Sequence, residues 1–208
     1  MSTRSLLLVA ALAAVALALG AATAHWLYRS QAARTPHATV LEAPRPLPEF
    51  ELVDHGGQPF RQDSLSGHWS ILFFGFTRCP DVCPTTLHTL ARASELLDNL
   101  PEERRPRVIF VSVDPVRDDP EALARYVSWF DARFVGVTGE LAGVQALTDG
   151  LGVAVSYVRE PAGEDYTVDH TAALFLVDPR TRLRAIFSSP HEASRIVRDY
   201  RLITGGRG

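Results

Sequence analysis

The run Trp69 to Pro84, W-S-I-L-F-F-G-F-T-R-C-P-D-V-C-P, constrains this chain more than any other stretch. Its apolar part, Ile71 to Phe76, is continuous rather than alternating, the pattern of a strand buried on both faces. It leads directly into a loop carrying the only two cysteines, Cys79 and Cys83, with Pro80 and Pro84 beside them and a helical pattern just after. Four residues is slightly more than one helical turn, so a loop that curls into the first turn of that helix puts both sulfurs on one side. The helix N-terminus presents unpaired N–H groups and a partial positive charge, both of which favour thiolate over thiol. The pair is therefore expected to be reactive or metal-binding. Three uses stay open. A structural disulfide closing so short a loop contributes little chain entropy. A redox dithiol is the second use. The third is a metal site, for which three intervening residues leave more room than the two of thioredoxin-type enzymes.

The rest of the chain supplies a scaffold for that loop. Glu49 to Val53 reads as a short strand or hairpin ending at the turn Asp54 to Gly57, and Thr85 to Leu100 as a helix stopped by Pro101. Val108 to Val113 is a second buried strand. Asp118 or Asp119 then caps a helix with Pro120 at its first position. Phe134 to Val137 reads as a strand and Glu140 to Asp149 as a helix closed by Gly150. Strands follow at Val153 to Arg159, Tyr166 to Asp169, Ala173 to Asp178 and Leu183 to Ser188, with a turn over Pro161 to Asp165 and a tight connection at Pro179 to Arg182. Ala193 to Ile203 closes the chain as an amphipathic helix. This order predicts an α/β thioredoxin-like sandwich around a central mixed sheet.

The N-terminus is different in kind. Leu6 to Ala24 holds no charged residue and is nearly all Leu, Ala and Val. As a helix it would be about 28 Å long, against a hydrocarbon core of roughly 30 Å. It is expected to be a transmembrane anchor, with Trp26 and Tyr28 at the interface; a cleaved signal peptide is the rival, since Ala22-Thr23-Ala24 fits a cleavage site. The expected organisation is a cytoplasmic stub (1–5), the anchor (6–24), a Pro-containing tether (25–46) and the globular domain (47–208). Either reading exports the domain, to the periplasm or the cell exterior, on a single-pass inner-membrane protein. Net charge is −3 and the chain after Ala24 is mildly acidic, so nucleic acid is not an expected partner; the use of arginine without lysine reads as composition bias.

Two thiolates alone rarely complete a metal site, and seven histidines are available. His25 and His37 lie outside the domain, His55 and His68 lie in turns, and all four read as solvated. His88, five residues after Cys83, is rotated roughly 140° from it and points away; His191 starts the last helix as a surface or capping residue. His170 stands in V-D-H-T, just before the strong strand at Ala173. In a thioredoxin-like sheet that connection passes beside the cysteine pair and usually carries a cis-proline, yet no proline occurs between Pro161 and Pro179. His170 is thus the expected third ligand. Asp169 is a candidate to orient it, Asp114 lies near the same sheet edge, and Arg78 either supports a thiolate or faces solvent.

T-R-C-P-D-V-C-P-T-T-L, S-V-D-P-x-R-D over Ser112 to Asp118, and V-D-H-T over Val168 to Thr171 together resemble the Sco/SenC family of copper proteins, over roughly Leu47 to Thr204. The resemblance implies that Cys79, Cys83 and His170 bind one copper. Such a soft, low-coordinate set suits Cu(I), and Cu(II) with an added ligand, whereas structural zinc would want a fourth protein ligand. It also implies a membrane-tethered metallochaperone that takes copper from a periplasmic donor. The implied client is cytochrome c oxidase subunit II, to whose dinuclear site it delivers copper or whose cysteines it prepares. The alternative is a thiol–disulfide reductase using Cys79 and Cys83 in extracytoplasmic redox homeostasis; a peroxidase is a weaker third reading.

Overall fold

The computed structural model describes the backbone of residues 3–32, 36–159 and 166–205, and side chains from residue 12 to 26 and over the two later segments. The first element is a helix, α1 (Thr3–Ala32). Among the described residues no helix is long and apolar enough to cross a membrane. The expected span over Leu6 to Ala24 is therefore found as helix only, and the side chains of 6–11 lie outside the described residues.

An eight-stranded sheet organises everything after it. Its strands are β1 (Thr39–Pro46), β2 (Leu52–Asp54), β3 (Pro59–Phe60), β4 (Ser70–Gly75), β5 (Arg107–Ser112) and β6 (Val135–Thr138), followed by β9 (Leu174–Val177) and β10 (Arg182–Phe187). Between β6 and β9 a separate antiparallel hairpin, β7 (Val155–Arg159) and β8 (Tyr166–His170), stands off the main sheet; the expected turn joining them lies outside the described residues. The spatial order of the main sheet is β1-β10-β9-β4-β5-β6-β2-β3. β4, β5 and β6 run parallel and β9 runs antiparallel to β4, so the sheet is mixed.

All six residues of β4 are buried because it lies in the middle of this order with layers on both faces. Ile71 and Phe73 point to the side covered by α2 (Val82–Leu97), α3 (Pro120–Ser128) and α5 (Ala193–Thr204). Leu72 and Phe74 point to the side covered by α4 (Leu141–Leu151) and the segments around β2 and β3. The continuous hydrophobic run is two alternating faces read together.

Several element ends shift by one to three residues from the expectation, and at three places the difference changes how the residues are read. β1 occupies much of the stretch read as a tether: it pairs antiparallel with β10, Thr39 opposite Ile186 and Pro46 opposite Arg182. Pro44 and Pro46 argue against a strand only in a sheet interior, and here they lie on an edge, beside an irregularity in register. α2 begins three residues early and takes Cys83 into its first turn. α4 ends at Gly152, whose φ of +74° favours glycine, and not at Gly150. Gly150 lies inside the helix, where a Cβ would stand 2.4 Å from Cγ of Pro48; it permits close packing and does not stop the helix.

Candidate metal centre

The carboxyl ends of β4 and β5 build the floor of the site. After Gly75 the chain turns outward, with Cys79 N–H donating to the Phe76 carbonyl at 3.2 Å. α2 then begins at Val82 with Asp81 in the capping position, but the Asp81 side chain makes no cap bond. A sulfur does so instead: the backbone N–H of Cys83 donates to Cys79 Sγ at 3.4 Å. One of the donors left unpaired at a helix start is thus aimed at the half-buried thiol. Cys83 is fully buried against the helix-side core. A Cβ at Gly75 would stand 2.7 Å from Cys83 Sγ and 2.7 Å from Phe110 Cε2, so the sulfur reaches the sheet only because residue 75 is glycine.

His170, the last residue of β8, comes in from the opposite side. Its Nε2 lies 3.6 Å from Cys83 Sγ, and its Nδ1 faces the Thr171 carbonyl at 3.3 Å. With its proton on Nδ1 the ring donates to that carbonyl and turns the Nε2 lone pair toward the sulfurs, as a metal ligand must; with its proton on Nε2 it donates to them instead. The rings of Phe73 and Phe76 meet the imidazole edge-on, with centroids at 6.4 and 6.1 Å. The two sulfurs and one imidazole nitrogen all lie within 4.8 Å of one another, the one such gathering of ligating groups among the described residues.

The two thiols are electrostatically unequal. The hydrogen bond from the Cys83 thiol pulls Cys79 down to about 4 against the opposing cost of burial, with the His170 side chain and the backbone N–H groups of Cys83 and Asp81 adding to the effect. The same hydrogen bond, followed by burial, pushes Cys83 far up. In the metal-free reduced state the pair therefore holds one thiolate, on Cys79, and one proton, on Cys83. Both cysteines are free in the structure.

Residues expected to surround the site take varied positions. Asp169 is exposed and makes neither of the His170 ring contacts, a place taken by the Thr171 carbonyl. Asp114 is fully buried but bonds to Tyr166 and Arg117, with no contact to a ligating side chain. His88 is exposed and packs on Phe130 at 4.9 Å; His191 Nε2 lies 2.9 Å from the Ala172 carbonyl; Arg78 is exposed.

Asp118 has a role that reading it as a possible cap overlooks. Asp119 supplies the α3 cap, accepting from Ala122 N–H at 2.7 Å. Asp118 is instead buried, and its carboxylate accepts from Thr77 N–H at 3.0 Å, Thr77 Oγ1 at 2.5 Å and Ser112 Oγ at 2.7 Å. It ties the start of the cysteine loop to the end of β5. Burial raises its pKa, opposed by those three bonds. Its signal in the sequence was the second Asp of S-V-D-P-V-R-D-D, where adjacent acids can divide capping from burial.

Two thiols and an imidazole, one sulfur already poised as thiolate, form a donor set that fits copper. The comparisons agree with that chemistry. A protein of Stutzerimonas stutzeri whose name provisionally assigns it copper binding is 43% identical over 157 residues, covering 74% of this chain and 75% of that protein. Copper-bound ScoI of Arabidopsis thaliana superposes with a TM-score of 0.70 at 28% identity, over 76% of this chain and 98% of that one. Apo Sco1 of Thermus thermophilus does so with a TM-score of 0.70 at 41% identity, over 80% and 96%. The family model described as SCO1/SenC matches residues 39–204, from the first residue of β1 to the last of α5. By that match, and by the dithiol and imidazole gathered inside it, the chain is a member of the SCO1/SenC family.

Proposed function

We propose that this copper-binding Sco protein carries copper as cargo on Cys79, Cys83 and His170 and hands it to the dinuclear site of cytochrome c oxidase subunit II. The observation that carries this is the convergence of three soft or borderline donors within 4.8 Å. The direction of hand-over follows from burial. Cys83 is closed off by the sheet and by α2, whereas Cys79 is half-exposed. An acceptor thiolate therefore approaches from the Cys79 side, and Cys83 is the last sulfur to let go. The uncharged stretch Leu6 to Ala24 within α1 is the proposed anchor, holding the domain on the periplasmic face of the inner membrane.

The test is a copper titration of the reduced 208-residue chain beside its His170→Ala variant. One equivalent of Cu(II) should give an intense thiolate-to-copper absorption band and nitrogen hyperfine structure in the electron paramagnetic resonance spectrum. Both should be lost or reshaped in the variant. Equal affinity and equal spectra in the two proteins would refute the ligand set.

A second reading is favoured by the inequality of the thiols. A thiolate at Cys79 and a proton held on Cys83 are the starting state of a disulfide reductase. Cys79 would attack a client disulfide, releasing one client thiolate. Cys83, on losing its proton, would then displace the second, leaving a Cys79–Cys83 disulfide and a two-electron-reduced client. This reading predicts stoichiometric reduction of a client disulfide by metal-free protein, retained in His170→Ala.

A further inference from the structure

We propose that Asp114, Arg117 and Tyr166 form a clasp that sets where His170 stands relative to the two sulfurs. The inference rests on reading His170 as a ligand. His170 is carried by a two-stranded hairpin that is not part of the main sheet. Two strands alone are marginally stable, so the position of the imidazole depends on what fastens the hairpin down. Val168 anchors mid-strand in the core and β9 follows four residues after His170, while the polar fastening lies at the opposite end of β8, at Tyr166.

There the Tyr166 hydroxyl donates to Asp114 Oδ1 at 2.6 Å, while Arg117 forms an ion pair with the other oxygen of the same carboxylate. The Arg117 guanidinium also donates to the Tyr166 backbone carbonyl at 2.8 Å and lies 3.7 Å from the centroid of the Tyr166 ring. Tyr157, on β7, packs on Tyr166 at 5.8 Å and donates its hydroxyl to the Val113 carbonyl at 2.7 Å. Asp114 is fully buried, and the Arg117 side chain is 10% exposed. Such bonds are held in register because breaking one leaves a buried charge or donor unpaired. Arg117 also lies 6.0 Å from the Phe76 ring, which in turn packs on His170. The clasp thus reaches the imidazole by two routes, along β8 and through Phe76. These are positioning residues, since none touches the ligating atoms.

Two conservative variants keep the fold while loosening the clasp. Tyr166→Phe removes only the hydroxyl, and Arg117→Lys keeps a cation for Asp114 but loses the planar fork that pairs, donates and stacks at once. The first readout needs no metal: in the reduced 208-residue chain, nuclear Overhauser contacts between the His170 ring and those of Phe73 and Phe76 should weaken in both variants. The second is Cu(II) affinity, expected to fall about 10- to 100-fold in Arg117→Lys. In a His170→Ala background the same substitution should change affinity by no more than about twofold, because its effect passes through the missing ligand. Unchanged ring contacts overturn the clasp, as does an equal loss of affinity in both backgrounds. If wild-type affinity proves indifferent to His170, the ligand reading falls separately, and the metal-free ring contacts still decide the clasp.

Discussion

Cys79 Sγ occupies the place of a helix cap, accepting the backbone N–H of Cys83 at 3.4 Å where the Asp81 side chain makes no such bond. The more accessible of the two sulfurs is therefore also the one stabilised as an anion.

That relationship predicts a pH profile for the metal-free reduced chain. Alkylation of Cys79 by iodoacetamide should be nearly constant from neutral pH downward and collapse only as pH falls through about 4, while Cys83 stays almost unreactive. Because folding lowers the Cys79 value from an ordinary 9.0, its contribution to stability is complete above 9.0 and is lost as pH falls through about 4. Cys83→Ala removes the largest cause and should move the midpoint of Cys79 alkylation up. An unshifted midpoint, read by mass spectrometry, would mean that His170 and the backbone N–H groups set the value without the Cys83 thiol.

Gly75→Ala should displace Cys83, since the added methyl meets its sulfur and the Phe110 ring at 2.7 Å. Overpacking of this kind costs about 1–3 kcal/mol, measurable as a lower urea midpoint. Copper affinity should fall with it. Wild-type values for both would show that α2 can shift without cost.

Asp118→Ala orphans the three donors from Thr77 and Ser112 and should destabilise the chain by roughly 2–3 kcal/mol. The pH dependence carries the opposite sign from that of Cys79. A carboxyl whose folded pKa is raised binds its proton more tightly when folded, so stability is greatest below the ordinary carboxylate range and declines as pH rises through the raised value. Asp118→Asn should remove that decline, which urea titrations at several pH values will show.

Asp199 holds the start of β1: its carboxylate accepts from His37 N–H at 2.7 Å and Ala38 N–H at 2.8 Å while almost fully buried on α5. Asp199→Ala should release this edge, raising amide exchange over Ala38 to Val40 by an amount that reflects about 1.5–3 kcal/mol, and leave β4 and β5 protected. Exchange accelerated equally across the sheet would make β1 part of the global unit.

How much was legible depended on the range of the interaction. The buried strands β4 and β5 were readable because burial on both faces leaves a continuous apolar run, and the start of α3 was readable, with its cap narrowed to Asp118 or Asp119, because a cap and Pro120 act on their own helix. β1 was not readable. Its prolines resemble a linker until β10 and Asp199 supply partners far along the chain. Gly150 and Gly152 offer the same local signal for a helix stop, and only contact with Pro48 separates packing from capping.

For the site, the sequence by itself determined the spacing of the two cysteines, their seat at a strand end before a helix, and the presence of a histidine ahead of the next buried strand. These are properties of neighbours along the chain. Tertiary structure alone decided that Cys83 is closed off against Gly75 and Phe110, that His170 stands 3.6 Å from it, and that Asp114 serves Tyr166. Each of those outcomes joins segments far apart along the chain. Such contacts are settled by packing and by the pairing of buried polar groups, through distances that no single stretch of sequence contains.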